Sequence, residues 1–322
     1  MRAVTALIEI PSSPVFDTLG NIINNFKSTD SAELALARGK KLSKGKSESH
    51  FKIKDNKLVF ERVTAKECVR TVICDAENFF GRRPSQKLLI YLLWLINRQA
   101  VASGSMSAFD LDFDARELVE LGAYKTLTSA KAGAATFLER MKSIYISASV
   151  IGDESGGDGK PKRLIKAFNQ SGSHFSVELN PDFNKASLTA YFMCLPECYF
   201  KLSHRASVLM YYCCYLARQN TVSVKRYGFF DISLRAVQYR LGLPDEKETK
   251  NPKILITAPI LNAVEEINRV CPDNEMSLKL IADGDASVGR FLDSGKIRVY
   301  TKDIMKDELP DIGFLKKRKR SK

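Results

Sequence analysis

Residues 254–268 read ILITAPILNAVEEIN. Apolar residues recur at helical spacing, with Ile256, Ile260, Ala263 and Ile267 on one face and Glu265 and Glu266 off it. Pro259 sits inside that pattern. A proline there lacks the N–H that would bond the carbonyl of Leu255, and its ring clashes with that carbonyl, at a cost of about 3 kcal/mol. A good amphipathic helix that carries its own breaker has to be understood from the segments around it.

Those segments occur twice. LLIYLLWLINRQ (88–99) aligns with VLMYYCCYLARQ (208–219), pairing Tyr91 with Tyr211 and Arg98-Gln99 with Arg218-Gln219, 120 residues on. Phe109-Asp110 aligns with Phe230-Asp231 at a spacing of 121, and Leu121-Gly122 with Leu241-Gly242 at 120 again. One spacing held across three anchors implies a duplicated unit, not a solenoid array. Each copy predicts the same order of elements. A long apolar helix (85–102, 204–219) precedes a short β-prone piece (109–113, 227–232). A second helix follows a polar cap, Asp114 or Ser233, and ends at Gly122 or Gly242, the residue type favoured just past a helix C-terminus. A third helix (128–144, 251–268) leads into two strands: 145–151 and 163–169 around the loop GDESGGDGKPK, then 276–282 and 296–302 around DGDASVGRFLDSG.

Helix, strand, helix, turn, helix, strand, loop, strand is the order of a winged helix-turn-helix, whose third helix enters the major groove and whose loop follows the backbone. The expected fold class is therefore α+β: two tandem winged helix-turn-helix domains related by internal duplication, with flexible basic termini. The expected boundaries are an N-terminal arm, partly disordered, over 1–62, domains over 63–183 and 184–308, and a basic tail over 309–322. Both termini are rich in cations: ARGKKLSKGK (37–46) and FLKKRKRSK (314–322).

Across 322 residues, Lys plus Arg number 50 against 37 Asp plus Glu, a net charge of +13 that points to a polyanionic partner, nucleic acid ahead of a membrane surface. The longest apolar run, LLIYLLWLI (88–96), is half the roughly 18 residues a membrane span needs, so no membrane association is expected. Seven cysteines without framework spacing fit reduced thiols in a cytoplasm. The expected DNA contacts cluster at the third helices. In the first copy they are Lys125, Thr126, Thr128 (as N-cap), Ser129 and Lys131, joined by Lys160, Lys162 and Arg163 of the wing. In the second they are Lys247, Thr249, Lys250, Asn251 (as N-cap, with Pro252 at the first helical position) and Lys253. Pro259, Gly122 and Gly242 are structural.

No metal or catalytic residue is expected. Asp110, Asp112 and Asp114 alternate as a metal-dependent nuclease would want, but they read first as the polar face of a strand ending in a cap. Cys194 and Cys198 have no second Cys/His pair at zinc distance, the three histidines are far apart in sequence, and no phosphate-binding G-x-x-x-x-G-K-[ST] loop is present.

The stretches SVLMYYCCYLA (207–217), ISLRAVQYRLGL (232–243) and ILITAPILNAVEEIN (254–268) resemble the C-terminal winged helix of bacterial plasmid replication initiators. That family shows a leucine-rich first helix, a short helix ending in Leu-Gly, and a third helix with an internal proline followed by Glu-Ile-Asn, here Pro259 and Glu266-Ile267-Asn268. The resemblance implies a sequence-specific DNA-binding initiator of a plasmid or mobile element that binds double-stranded origin repeats, promotes duplex opening and recruits host initiator and helicase proteins. It also implies homodimers that repress their own promoter, no catalytic site and no cofactor. A winged-helix transcriptional regulator is the alternative, and a metal-dependent nuclease or primase the third reading.

Overall fold

The computed structural model of the chain describes residues 7–12, 48–55, 57–63, 67–74, 86–103, 110–150, 162–180, 191–271, 276–283 and 286–301. It is a mixed α/β arrangement of helices and small antiparallel sheets. β1 (Leu7–Ser12) pairs with the later strand Tyr191–Pro196. β2 (Glu48–Lys54), β3 (Lys57–Val63) and β4 (Glu67–Ile73) form an antiparallel meander. α1 (Gln86–Ser103) follows; it is apolar on most sides and is buried accordingly, from Leu88 through Leu93 and again at Leu95 and Ile96.

β5 (Asp110–Asp114) alternates exposed aspartates with buried Leu111 and Phe113, and runs directly into α2 (Ala115–Glu120). α3 (Leu127–Met141) buries Ala130, Ala134, Phe137, Leu138 and Met141 on one stripe. β6 (Ile144–Val150) leaves this unit and pairs with β4, and β7 (Lys162–Arg163) adds to it, giving a five-stranded sheet of order β2-β3-β4-β6-β7. β8 (Ile165–Ser171) and β9 (His174–Leu179) then close a three-stranded sheet of order β5-β9-β8.

β10 (Tyr191–Pro196) and a 3-10 turn (Glu197–Lys201) lead to the second unit. It contains α4 (His204–Gln219), α5 (Thr221–Tyr227), β11 (Phe229–Ser233) and α6 (Leu234–Arg240). A π turn (Lys253–Thr257) runs without a break into α7 (Ala258–Val270). β12 (Met276–Ile281), α8 (Val288–Ser294) and β13 (Lys296–Thr301) complete a three-stranded sheet of order β11-β13-β12. Both three-stranded sheets thus put the first strand beside the third and the third beside the second, all antiparallel.

The two units also match at their short helices. The Asp114 carboxylate accepts from the Arg116 N–H, and the Ser233 hydroxyl from the Ala236 N–H. At the other end Gly122 N–H donates to Val119 O and Ala123 N–H to Leu118 O, while Gly242 N–H donates to Tyr239 O and Leu243 N–H to Gln238 O. This is the same double closure of a helix end in both units, and it needs a left-handed residue: φ is +77° at Gly122 and +61° at Gly242. Gly122→Ala and Gly242→Ala should each lower the unfolding free energy by about 1–2 kcal/mol, the cost of a Cβ in that region, measurable by urea denaturation.

The Glu-Ile-Asn signature holds the second unit together. Glu266 accepts from both the Ser203 N–H and the Ser203 hydroxyl, each at 2.6 Å, where Ser203 caps α4. Ile267 is fully buried. The Asn268 amide donates to Leu278 O at 2.8 Å and accepts from Leu278 N–H at 2.9 Å, fixing β12 against α7. The units share one apolar cluster, and Tyr91 of α1 meets Phe200 of the 3-10 turn edge-on at 6.4 Å.

Several expectations are corrected. Residues 1–62 include β1, β2 and all of β3 but its last residue, Val63. The strands expected to flank a first-copy wing, 145–151 and 163–169, pair over two residues only, Tyr145 with Arg163 and Ile146 with Lys162. β8 instead forms a tight hairpin with β9, which periodicity alone left unassigned. The second-copy loop is not open: α8 fills it and buries Val288, Phe291 and Leu292. Cys198 and Cys271 form a disulfide, against the expectation of free thiols throughout. The basic stretches 37–46 and 314–322 lie outside the described residues. Among the described residues no helix is long and apolar enough to cross a membrane.

Candidate nucleic-acid interface

In each unit a polar turn leads from the short helix that follows the first strand of its three-stranded sheet, α2 or α6, to the next helix. The first-copy turn is short, Leu121 to Thr126. Thr126, not Thr128, caps α3: its hydroxyl accepts from the Ser129 N–H at 3.2 Å and donates to the Ser129 Oγ at 2.9 Å. Lys125, Thr126, Thr128 and Ser129 are exposed and Lys131 is half-buried, so the expected residues do form one polar end of α3. Tyr124 folds over the first turns of the helix, its hydroxyl occupying the space a Cβ on Gly133 would need.

Lys162 and Arg163 are elsewhere. β7 pairs with the start of β6, just past the C-terminus of α3. A 15-residue helix is about 22 Å long, so these two cations sit by the opposite end of it from Lys125. The Arg163 guanidinium donates to the Tyr145 hydroxyl at 2.9 Å and lies over its ring. Lys160 lies outside the described residues.

The second-copy turn, Leu241 to Asn251, is longer and braced. The Gln238 amide donates to Pro244 O at 2.6 Å, and the Asp245 carboxylate accepts from the Lys247 N–H. Arg235 of α6 grips Glu246 with two nitrogens, at 2.6 and 2.7 Å, and Asp293 of α8 with a third at 2.7 Å. The guanidinium holds the Glu246 carboxyl well below its ordinary range, at about 2, and lowers that of Asp293. The turn is therefore tied to two helices by charged hydrogen bonds, the stronger kind. It carries Lys247 and Lys250, with Asn251 and Lys253 at the helix entry, all exposed, and Thr249 half-buried. Thr249 supplies the side-chain contact at this entry, its Oγ1 accepting from the Asn251 N–H at 3.4 Å. Asn251 contributes its carbonyl, which accepts from Leu255 N–H at 3.0 Å. Among the described residues, ion pairs in this region engage Arg235 and leave Lys247, Lys250 and Lys253 unpaired.

The proline is accommodated by the π turn. Ala258 N–H bonds back to Lys253 O, five residues away rather than four. The backbone is thus opened one residue ahead of the ring, in the turn whose carbonyl the ring would otherwise strike. Pro259 itself is buried, as are Ile260, Ala263, Val264 and Ile267 behind it. Ahead of it Ile256 is fully buried, while Ile254 and Leu255 stand 68% and 46% exposed.

The three aspartates separate in role. Asp114 accepts from Arg116 N–H and from the Ser173 hydroxyl at 2.9 Å, and lies 3.3 Å from His174 Nε2, so it caps α2 and anchors the β8–β9 hairpin. Its carboxyl is held below its ordinary range, chiefly by the Arg116 N–H. Asp110 and Asp112 are on the exposed face of β5, and Asp112 faces Ser176 across the ladder. Among the described residues no group of three His, Cys, Asp or Glu could hold a metal ion.

No family model matches the chain, and no curated protein matches its sequence. Two crystal structures of domains 2 and 3 of RctB, one from selenomethionine derivatives, are similar to it. The first has a TM-score of 0.40 at 9% identity, covering 82% of this chain and 93% of that one. The second has a TM-score of 0.41 at 9% identity, covering 81% and 92%.

Proposed function

We propose that the chain is a sequence-specific DNA-binding protein built on two tandem winged helix-turn-helix units, and that it acts as a replication initiator of a plasmid or mobile element. The observation that carries the reading is the braced turn before the π turn and α7, which offers Lys247, Lys250 and Lys253 to an anion while Arg235 holds its Glu246. A helix N-terminus with free cations suits phosphates. The matching strand orders and helix ends of the two units favour paired use of both third helices on repeated sites. The Leu-Gly and Pro…Glu-Ile-Asn resemblance favours an initiator over a regulator. In this reading the protein works in the cytoplasm as a monomer or homodimer, without cofactor or catalytic step, opening origin repeats for host initiator and helicase proteins.

A gel-shift titration against the DNA flanking its own gene tests the reading. The expected result is tight binding to tandem sites about 20 base pairs apart, two helical turns, with log affinity falling steeply against log salt. Equal binding to scrambled DNA removes it.

A further inference from the structure

We infer that Ile254 and Leu255 are specificity-determining residues that read thymine methyl groups in the major groove; this rests on the DNA-binding reading of the same site. Side chains of this size at 68% and 46% exposure stand out next to a helix that buries Pro259, Ile260, Ala263, Val264 and Ile267. They are consecutive, and the next residue, Ile256, is fully buried. Helical spacing sets that register: at about 100° per residue Ile256 falls near the stripe of Ile260 and Ile267, and Ile254 and Leu255 fall well off it, so the apolar pair points outward. The pair is flanked by exposed Lys250, Asn251 and Lys253, with Lys247 on the preceding turn.

That surround selects the occupant. A second copy of this chain would bring the same lysines against themselves. A duplex brings phosphates to the lysines and, between the two phosphate rows, the floor of the major groove. There the only apolar group on a base edge is the thymine C5-methyl. Two aliphatic side chains between phosphate-binding cations therefore match a groove carrying thymines at the contacted steps, and would tolerate other bases less well. Lysines position the helix and carry no sequence information, whereas Ile254 and Leu255 supply it.

The test compares thymine with deoxyuridine, which differs only by the methyl group. A specific duplex is first selected from a random pool by the full-length protein, then synthesised with every thymine or with deoxyuridine in its place. Wild-type protein should bind the thymine duplex about three- to five-fold more tightly for each contacted methyl, the worth of one buried carbon. Ile254→Ala with Leu255→Ala should bind both duplexes equally, with its thermal midpoint unchanged. Ile254→Ser with Leu255→Ser should do the same. If wild-type protein binds the selected duplex but ignores the methyl groups, this inference falls and the DNA-binding reading stands. If no duplex outcompetes scrambled DNA, both fall. If the double variants keep the thymine preference yet lose self-association in sedimentation, the pair is a contact between copies and the inference is overturned.

Discussion

Replacing Lys247, Lys250 and Lys253 together by glutamine should weaken binding to the specific duplex about a hundredfold at fixed salt, and should flatten the slope of log affinity against log salt by nearly 3. Each phosphate neutralised by a lysine releases condensed counterions, and each such contact contributes about −0.9 to the slope on B-form DNA. All three side chains are exposed, and none has an ion-pair partner among the described residues that its loss would strand. Surface changes of this kind move stability by no more than about 0.5 kcal/mol, so the thermal midpoint should hold. The turn itself should stay in place, because Arg235, Glu246, Asp293 and the Gln238–Pro244 contact that brace it are untouched. Salt titrations by fluorescence anisotropy check this directly. A slope unchanged from wild type would show that the phosphate contacts lie elsewhere. Lys125 and Lys131 give the matched experiment on the first unit: with both changed to glutamine, the slope should lose about 2 if that unit engages the same duplex.

The helices α1, α2, α3, α4, α6 and α7 and the short strands β5 and β11 were legible in the sequence because each has a local cause, whereas α5 and α8 were not expected. α1 and α4 are apolar runs, α3 and α7 have amphipathic stripes, and the Leu-Gly pairs carry the one residue type that a left-handed helix end tolerates well. What local pattern cannot supply is the partner of a strand. β6 is β-prone by composition, but its neighbour is β4, separated from it by α1, β5, α2 and α3. β9 lies only two residues beyond β8 and was left unassigned, because the Gly-rich stretch before β8 looked like the natural wing. The candidate site divides the same way. Its lysines were visible as charge next to a capped helix. Its bracing was not, since Arg235, Glu246 and Asp293 come from three separate segments. The exposure of Ile254 and Leu255 agrees with helical spacing, which puts Ile256, Ile260 and Ile267 on one face and these two residues off it. Asn251 and Thr128 were assigned caps on residue type, whereas Thr249 and Thr126 make the side-chain contacts. Asn251 still precedes the first helical residue, Pro252, and its carbonyl accepts the first bond of the helix; Thr249 lies two residues before it.

Gly295→Ala should destabilise the second unit by about 3 kcal/mol. Its backbone is ordinary, with φ −80° and ψ 154°, so the requirement is one of space alone. A Cβ at this position would strike the carbonyl of Phe291, and would come within 2.6 Å of Leu234 Cδ1 and 3.0 Å of Ala282 Cβ. Leu234 is fully buried at the start of α6 and could retreat only into the core. The Phe291 carbonyl accepts from the Gly295 N–H at 3.0 Å, closing α8, so moving it breaks that closure. The Gly295 carbonyl in turn accepts from Leu234 N–H at 3.1 Å, one of the orphan donors at the head of α6. The methyl group thus loosens α8 and α6 together. Those two helices hold Arg235 and Asp293, which brace the lysine-bearing turn, so DNA affinity should fall along with stability. Urea denaturation should therefore show the transition of this unit moved to lower denaturant, and the residual binding at low temperature should have a shallower salt slope than wild type. Gly172 supplies the contrast: nothing lies within 4 Å of its Cβ position, and only its φ of +65° resists alanine, so Gly172→Ala should cost no more than about 1–2 kcal/mol and leave DNA binding by the second unit alone. Equal losses for the two variants would mean that the approach of α8 to α6 is looser than 2.6 Å implies, and that the turn is held by its own hydrogen bonds rather than by the helices beneath it.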